Sequence, residues 1–376
     1  MTQWPIFSLG FRPFFILGSI WACVIVLCWS LNLSGIAFSG FVITDHIYEM
    51  VYGFSGAIVV GFLLTATQNW TKKRGVHGLP LIILCALWIT ARVFTVFQID
   101  FYKLAFDFLF YAYFVFLIAP YLVQTSQKRN WIIFAILILF LCNITLPLLG
   151  MNIHQSLYLS FVGLLLLVFI ISHRVIPFFT QNTIVVESLK VPIVVEKLSL
   201  LLFFLWLTLL FMPSQMSSKS SILAAFCLLL IGFRIKKWPW SKVIDVPILA
   251  VLYMSYFWLL VALILDALNL IPAANFPRTV ITHALSFGYL GGMILAMISR
   301  VSLGHTGRKL EASTAITISY FVFHTGAFIR VFGPITNIDK TLIYTVSGMF
   351  WTLSFIIFIF EYVPYLVKPR VDGKVS

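Results

Sequence analysis

An all-α polytopic membrane bundle of about twelve transmembrane helices is the fold class this sequence predicts. Three observations carry it. Apolar residues fill 61% of the 376 positions and charged residues only 10%, with mean hydropathy +1.04; a water-facing surface needs about 25% charged residues. Apolar runs of roughly 18 to 25 residues, the length that crosses a bilayer, recur along the whole chain. Lys and Arg alternate from loop to loop as the positive-inside rule requires.

Breaks at Pro, Gly or charge delimit the spans. The first half has them near 14–34, 48–69, 79–98, 103–124, 131–150 and 154–175. The second half has them near 194–212, 219–236, 245–269, 278–301, 314–333 and 343–366. Twelve spans of about 20 residues consume roughly 240 positions. What is left makes loops and no sizeable soluble domain, so residues 1–376 read as a single integral membrane domain. Arg12-Pro13 precedes the first apolar run and no small-residue cleavage site follows, so that run is an uncleaved span. Pro177 is expected to end the sixth helix.

The 25 Lys and Arg residues test the count. One side receives Arg12, Lys72, Lys73, Arg74, Lys128, Arg129, Arg174, Lys190, Lys197, Arg234, Lys236, Lys237, Lys242, Arg300, Arg308, Lys309, Lys368, Arg370 and Lys374. The other receives Lys103, Lys219, Arg278 and Lys340, while Arg92 and Arg330 fall inside spans. The bias places both termini in the cytoplasm. It also accounts for the net charge of +13 without a nucleic-acid partner. In a cysteine-free background, a thiol reagent added from outside is expected to label position 40 and spare position 240. The reverse pattern would invert the topology.

The cysteines Cys23, Cys28, Cys85, Cys142 and Cys227 sit in apolar runs without a CxxC pair, as packing residues do. The sequons at Asn69 and Asn143 fall on the cytoplasmic side and inside a span, where glycosylation does not reach.

Ionisable groups inside a membrane are expensive and are functional candidates by default. His46, His154 and His283 lie toward the outer face. His77, His173 and His305 lie toward the cytoplasm, and His324 sits near mid-membrane. Asp45, His46 and Glu49 open the second span, and His46 and Glu49, three apart, share a helix face. His283 stands about one turn into the tenth span. Arg92, Arg330 and Asp266 are expected at similar depth. Imidazole with carboxylate suits a transition metal or haem iron, and a neighbouring Arg suits a haem propionate. The alternative for the first pair is a helix start capped by Asp45 and wetted at the interface.

The second span carries Gly53, Ser55, Gly56, Ala57 and Gly61, and the tenth carries Gly288, Gly291, Gly292 and Ala296. Small residues permit close helix packing in lipid. The two spans are therefore expected to be neighbours, with His46, Glu49 and His283 converging. A shift of 235 sets Tyr48 on His283, Gly53 on Gly288, Gly56 on Gly291 and Thr71 on Thr306, the trace of a degenerate repeat. At the exit of the tenth span, Gly304 reads as the helix C-cap, Gly307 as a turn residue, and His305 between them as a ligand candidate. No Walker A, GxGxxG, CxxCH, HExxH or GxSxG motif occurs. A haem–copper oxidase catalytic subunit would need an adjacent His pair and a denser histidine set.

The chain resembles the NnrS family, bacterial membrane proteins of the nitric-oxide response that bind haem and copper. The resemblance rests on Gly10-Phe11-Arg12-Pro13-Phe14-Phe15, Glu49-Met50, Gly61 to Ala66 with Asn69-Trp70-Thr71, and Arg174-Val175-Ile176-Pro177. It continues through His283-Ala284-Leu285 and Met293 to Met297, then Arg300 and Gly304-His305-Thr306-Gly307-Arg308. It implies a multi-pass protein of the bacterial cytoplasmic (inner) membrane that responds to nitric oxide or a related small molecule. His46, Glu49 and His283 are then the metal candidates. His46, Tyr48, His283 and His305 are the cofactor-binding candidates, with Arg92 and Arg330 for propionates. Haem is the expected cofactor and copper a further candidate.

Two positions depart from the family pattern, since Tyr48 and Tyr253 stand where the family carries His. Tyrosinate ligates haem iron in catalase, but an uncharged Tyr is a poor copper ligand. Two alternatives therefore stand beside the haem reading. One is a cofactor-free transporter with Asn143, Asp266 and His324 along its path. The other is a metal-free divergent member that binds a partner.

Overall fold

A computed structural model describes residues 4–35, 42–71, 73–124, 131–211 and 217–373. Among these the regular structure is helical, and twelve helices are long and apolar enough to cross a membrane. They are α1 (Phe11–Leu33), α2 (Ile43–Gln68), α3 (Leu79–Val96), α4 (Asp100–Val123), α5 (Trp131–Leu148) and α6 (Ile153–Thr183). There follow α7 (Ile193–Leu210), α8 (Ser218–Ile235), α9 (Pro247–Leu268), α10 (Arg278–His305), α11 (Thr314–Ile335) and α12 (Lys340–Leu366). Each predicted span has its helix, because in hydrocarbon every backbone N–H and C=O must be satisfied within the segment. Lys72, Lys128, Arg129, Lys374 and residues 36–41 of the predicted outer loop lie outside the described residues.

Three boundaries differ from expectation, each for a local reason. Helix α2 starts at Ile43 rather than near 48. Asp45 Oδ2 accepts the N–H of Val42 at 3.0 Å and satisfies a donor at the helix start, so His46 and Glu49 lie within the helix rather than at its mouth. Helix α6 does not end at Pro177 but runs on to Thr183. Pro lacks the N–H that would bond the carbonyl four residues back. That carbonyl, on His173, instead accepts from Arg234 Nη2 at 2.9 Å. The C-cap of α10 is not Gly304. The helix continues through His305, and Gly307 takes the left-handed conformation with φ +77°. Arg308 N–H reaches Leu303 O (3.0 Å) and Gly307 N–H reaches Gly304 O (3.3 Å). This is the hydrogen-bond pair of a Schellman cap with glycine at C′.

The chain divides into two compact units. The first comprises Met1–Leu164, Ile298–Leu310 and Phe355–Ser376; the second comprises Leu165–Met297 and Glu311–Ser354. In the first, α2 packs against α1, α3 against α4, and α4 against α5. A Cβ on Gly61 would meet Phe14 Cβ at 2.7 Å, and one on Gly18 would meet Ile58 at 2.8 Å, so glycine sets the α1–α2 spacing. In the second, α8 packs on α7 and α9, and α9 and α11 pack on α10.

Both α2 and α10 contain a π-helical stretch, Glu49–Ser55 and Ala284–Gly291. The 235-residue shift read from the sequence carries the start of one onto the start of the other. It also matches glycines with similar duties. A Cβ on Gly56 would strike Tyr111, and one on Gly291 would strike Trp351. The glycines of each helix thus make room for partners in their own unit.

Candidate functional site

The π-helical stretch of α2 builds the most concentrated buried charge in the first unit. A π turn spreads its backbone and offers carbonyls to other donors. Here Trp88 Nε1 donates to Gly53 O (3.1 Å) and the Tyr111 hydroxyl donates to Tyr52 O (2.6 Å). Glu49, the first residue of the stretch, is fully buried. Its Oε2 accepts from Trp21 Nε1 of α1 at 2.8 Å and pairs with Arg92 Nη1 of α3 at 3.1 Å. Its Oε1 accepts from Thr95 Oγ1 at 2.7 Å.

Arg92 spans two carboxylates. Its Nη2 donates to Asp107 Oδ2 of α4, which also accepts from the Tyr48 hydroxyl at 2.7 Å. The guanidinium lies against the rings of Trp88 and Trp21, 5.4 and 5.9 Å from their centroids, a cation–π setting that suits a cation out of water. Lys103 caps the group from the end of α4. Its Nζ is 2.6 Å from Asp100, 3.3 Å from Asp45 and 4.9 Å from the Tyr48 ring centroid. Gly53 makes the assembly possible, because a Cβ there would collide with the Glu49 carboxylate, the Arg92 guanidinium and the Trp21 indole. Two polar atoms of the cluster are left over: Asp107 Oδ1 and Arg92 Nε are buried and have no hydrogen-bond partner among the described residues.

The other predicted site residues stand in different surroundings. The His46 ring stacks on Trp29, with centroids 5.1 Å apart and planes at 19°. His305 leans on the Phe11 ring at 5.5 Å, and its carbonyl accepts from Arg370 Nη1 at 3.1 Å. His46, Tyr48, Glu49, Arg92 and His305 belong to the first unit, and His283 and Arg330 to the second. His283 Nδ1 lies 2.6 Å from the carbonyl of Thr279, which can only accept, so Nδ1 carries the proton. Its Nε2 then accepts from Arg330 Nη2 at 3.0 Å. Arg330 also lies 4.1 Å from the Tyr344 ring centroid. Tyr253 bonds Thr180 (2.8 Å), and Asp266 accepts from Trp206, Ser220 and Ser221.

The NnrS protein family matches this sequence over residues 5–370, nearly the whole chain. The chain belongs to the NnrS family. A comparison with curated proteins found no significant match. Several NnrS landmarks of the sequence now have physical roles. Phe11 N–H donates to Thr65 Oγ1 at 3.0 Å, joining the first landmark to the third. Arg12 is buried and donates to the carbonyls of Leu366 (2.7 Å) and Lys368 (2.6 Å), so it ties down the end of α12. Glu49 is the hub of the charge cluster.

Sequence reasoning singled out Glu49 as a metal candidate, Tyr48 as a cofactor-binding candidate and Arg92 for a propionate, and the structure joins the three in one charge cluster. Sequence reasoning passed over Asp107, Thr95, Trp21 and Trp88. Asp107 carried a usable signal, a carboxylate inside the fourth apolar span, one helical turn after Lys103. Thr95 and the two Trp residues carried none, since such residues are common in any span.

Proposed function

We propose that this NnrS-family protein serves the response to nitric oxide in the bacterial cytoplasmic membrane, and that its working site is the Glu49–Arg92–Asp107 cluster, which holds and passes a proton. The role in nitric-oxide response comes from the family resemblance. The proton assignment is carried by one observation: Asp107 Oδ1 is a buried carboxylate oxygen without a partner. A polar atom buried without a hydrogen bond is costly, and such atoms within a membrane mark relays and ion paths. Two carboxylates share one guanidinium, so the cluster accommodates one proton readily. Tyr48, already donating to Asp107, is placed to relay it.

At Glu49, Tyr48 and His283 the donor atoms, as they are engaged, do not suit a resident haem or copper. Both Glu49 oxygens are engaged, the Tyr48 hydroxyl donates to Asp107, and His283 Nε2 accepts from Arg330. Among the described residues no three His, Cys, Asp or Glu side chains are grouped to hold an ion. The haem expectation therefore rests on His46, and on His283 once Arg330 releases its Nε2.

The test uses cells whose own copy is replaced by wild type, Asp107→Asn or Glu49→Gln, challenged with a nitric-oxide donor. At equal protein level, Asp107→Asn is expected to lengthen the growth lag to that of the deletion. Full protection by Asp107→Asn would remove the cluster from the function. The purified protein is expected to lack a Soret band. A Soret band that disappears in His46→Ala or His283→Ala would return the site to haem.

A further inference from the structure

The second unit contains a cavity of about 510 Å³ between the short helical turn Trp240–Val243, α9 and α11. Its walls are aromatic: Trp240, Tyr253, Phe257, Trp258, Phe321 and Phe328. No Lys, Arg, Asp or Glu side chain lines it. Phe257, Phe321 and Phe328 are exposed, so the cavity opens on the side that a membrane would cover with hydrocarbon. The remaining polar wall group of note is His324, which is 7% exposed.

His324 is chemically defined by its neighbour. Trp258 Nε1, a donor only, lies 3.1 Å from His324 Nδ1, so Nδ1 accepts and the neutral ring carries its proton on Nε2. That Nε2 is buried and has no hydrogen-bond partner among the described residues. His324, one of the lining residues, thus carries an unmatched and buried N–H donor beside flat apolar surfaces. A volume in the range of small-molecule sites, mostly apolar with few polar groups, describes a ligand pocket rather than a packing defect.

We propose that this cavity binds a membrane-soluble quinone, with a ring carbonyl accepting from His324 Nε2. Depth argues against a phospholipid. His324 is ten residues into α11, about 15 Å along its axis, which is near the middle of a hydrocarbon core about 30 Å thick. Ester carbonyls and charged headgroups stay at the interface, and the lining holds no charge to meet a headgroup. A neutral planar ring stacks on Trp and Phe faces, and its carbonyl supplies the missing acceptor. The assignment does not depend on the charge cluster of the first unit.

The test is equilibrium binding of decylubiquinone to the purified full-length protein in nanodiscs, read by quenching of tryptophan fluorescence. Decylbenzene, which has the tail and a ring but no carbonyl, competes as control. Saturable quenching is expected, and the decylbenzene concentration that relieves half of it is expected to be at least about tenfold above the decylubiquinone concentration that gives half-maximal quenching, one hydrogen bond being worth roughly that factor. His324→Phe is expected to weaken binding about tenfold, and His324→Gln, which keeps an N–H donor, to stay within about threefold of wild type. Equal competition by decylbenzene, or wild-type affinity in a monodisperse His324→Phe protein, would overturn the proposal. A photoreactive azidoquinone gives an independent reading. Cross-links within 240–258 or 321–328 support the site, and cross-links confined elsewhere overturn it.

Discussion

Arg92→Leu is expected to be the most damaging single substitution in the first unit, lowering stability by about 3–5 kcal/mol, the usual cost of leaving buried charge uncompensated. Arg92 is 3% exposed and is the cation shared by Glu49 and Asp107, both of which are fully buried. Removing it leaves two carboxylates facing each other in a region that water does not reach. Detergent-solubilised protein should show a sharply lowered thermal midpoint and loss of the monodisperse peak. The triple variant Arg92→Leu, Glu49→Leu, Asp107→Leu separates charge imbalance from lost packing. Replacing a whole buried ionic group by apolar side chains is often neutral, so the triple variant should recover most of the loss. If it is no better than Arg92→Leu alone, the guanidinium acts mainly through its contacts with Trp21 and Trp88.

Gly53→Ala is the second large effect. One methyl group there would meet the Glu49 carboxylate, the Arg92 guanidinium and the Trp21 indole together. Overpacking a filled site costs about 1–3 kcal/mol, and here it also pries apart an ion pair. Gly232→Ala in α8 is the matched control. Nothing lies within 4 Å of a Cβ at Gly232, and exchanging a helical Gly for Ala gains about 0.5–1 kcal/mol in water-exposed helices. The two substitutions should therefore shift the thermal midpoint in opposite directions. Equal and small shifts would mean that the close packing around Gly53 relaxes easily.

Much of this NnrS protein is legible from its sequence, because membrane insertion depends on local quantities. Twenty consecutive apolar residues span a bilayer whatever their neighbours are, so each of the twelve spans has its helix, most with both ends within a few residues. The special standing of Glu49 and Arg92 was equally legible, since a charge inside an apolar run is costly wherever the run packs.

Partner choice was not local. Glu49 and Arg92 are 43 residues apart in numbering, and the pairing follows from α1, α3 and α4 meeting the π-helical stretch of α2. His283 read as a metal ligand with an arginine near it. Only tertiary packing showed that this arginine, Arg330, lies 3.0 Å from His283 Nε2. Pro177 read as a helix end because proline removes a backbone donor, yet Arg234, 57 positions further on, satisfies the orphaned carbonyl and the helix continues. The sequence by itself determined where the chain crosses the membrane and which groups are too costly to be there without a purpose. The tertiary structure alone decided which partners meet that cost, because a hydrogen bond or ion pair requires atoms within about 3 Å, and no separation in sequence reports that distance between helices.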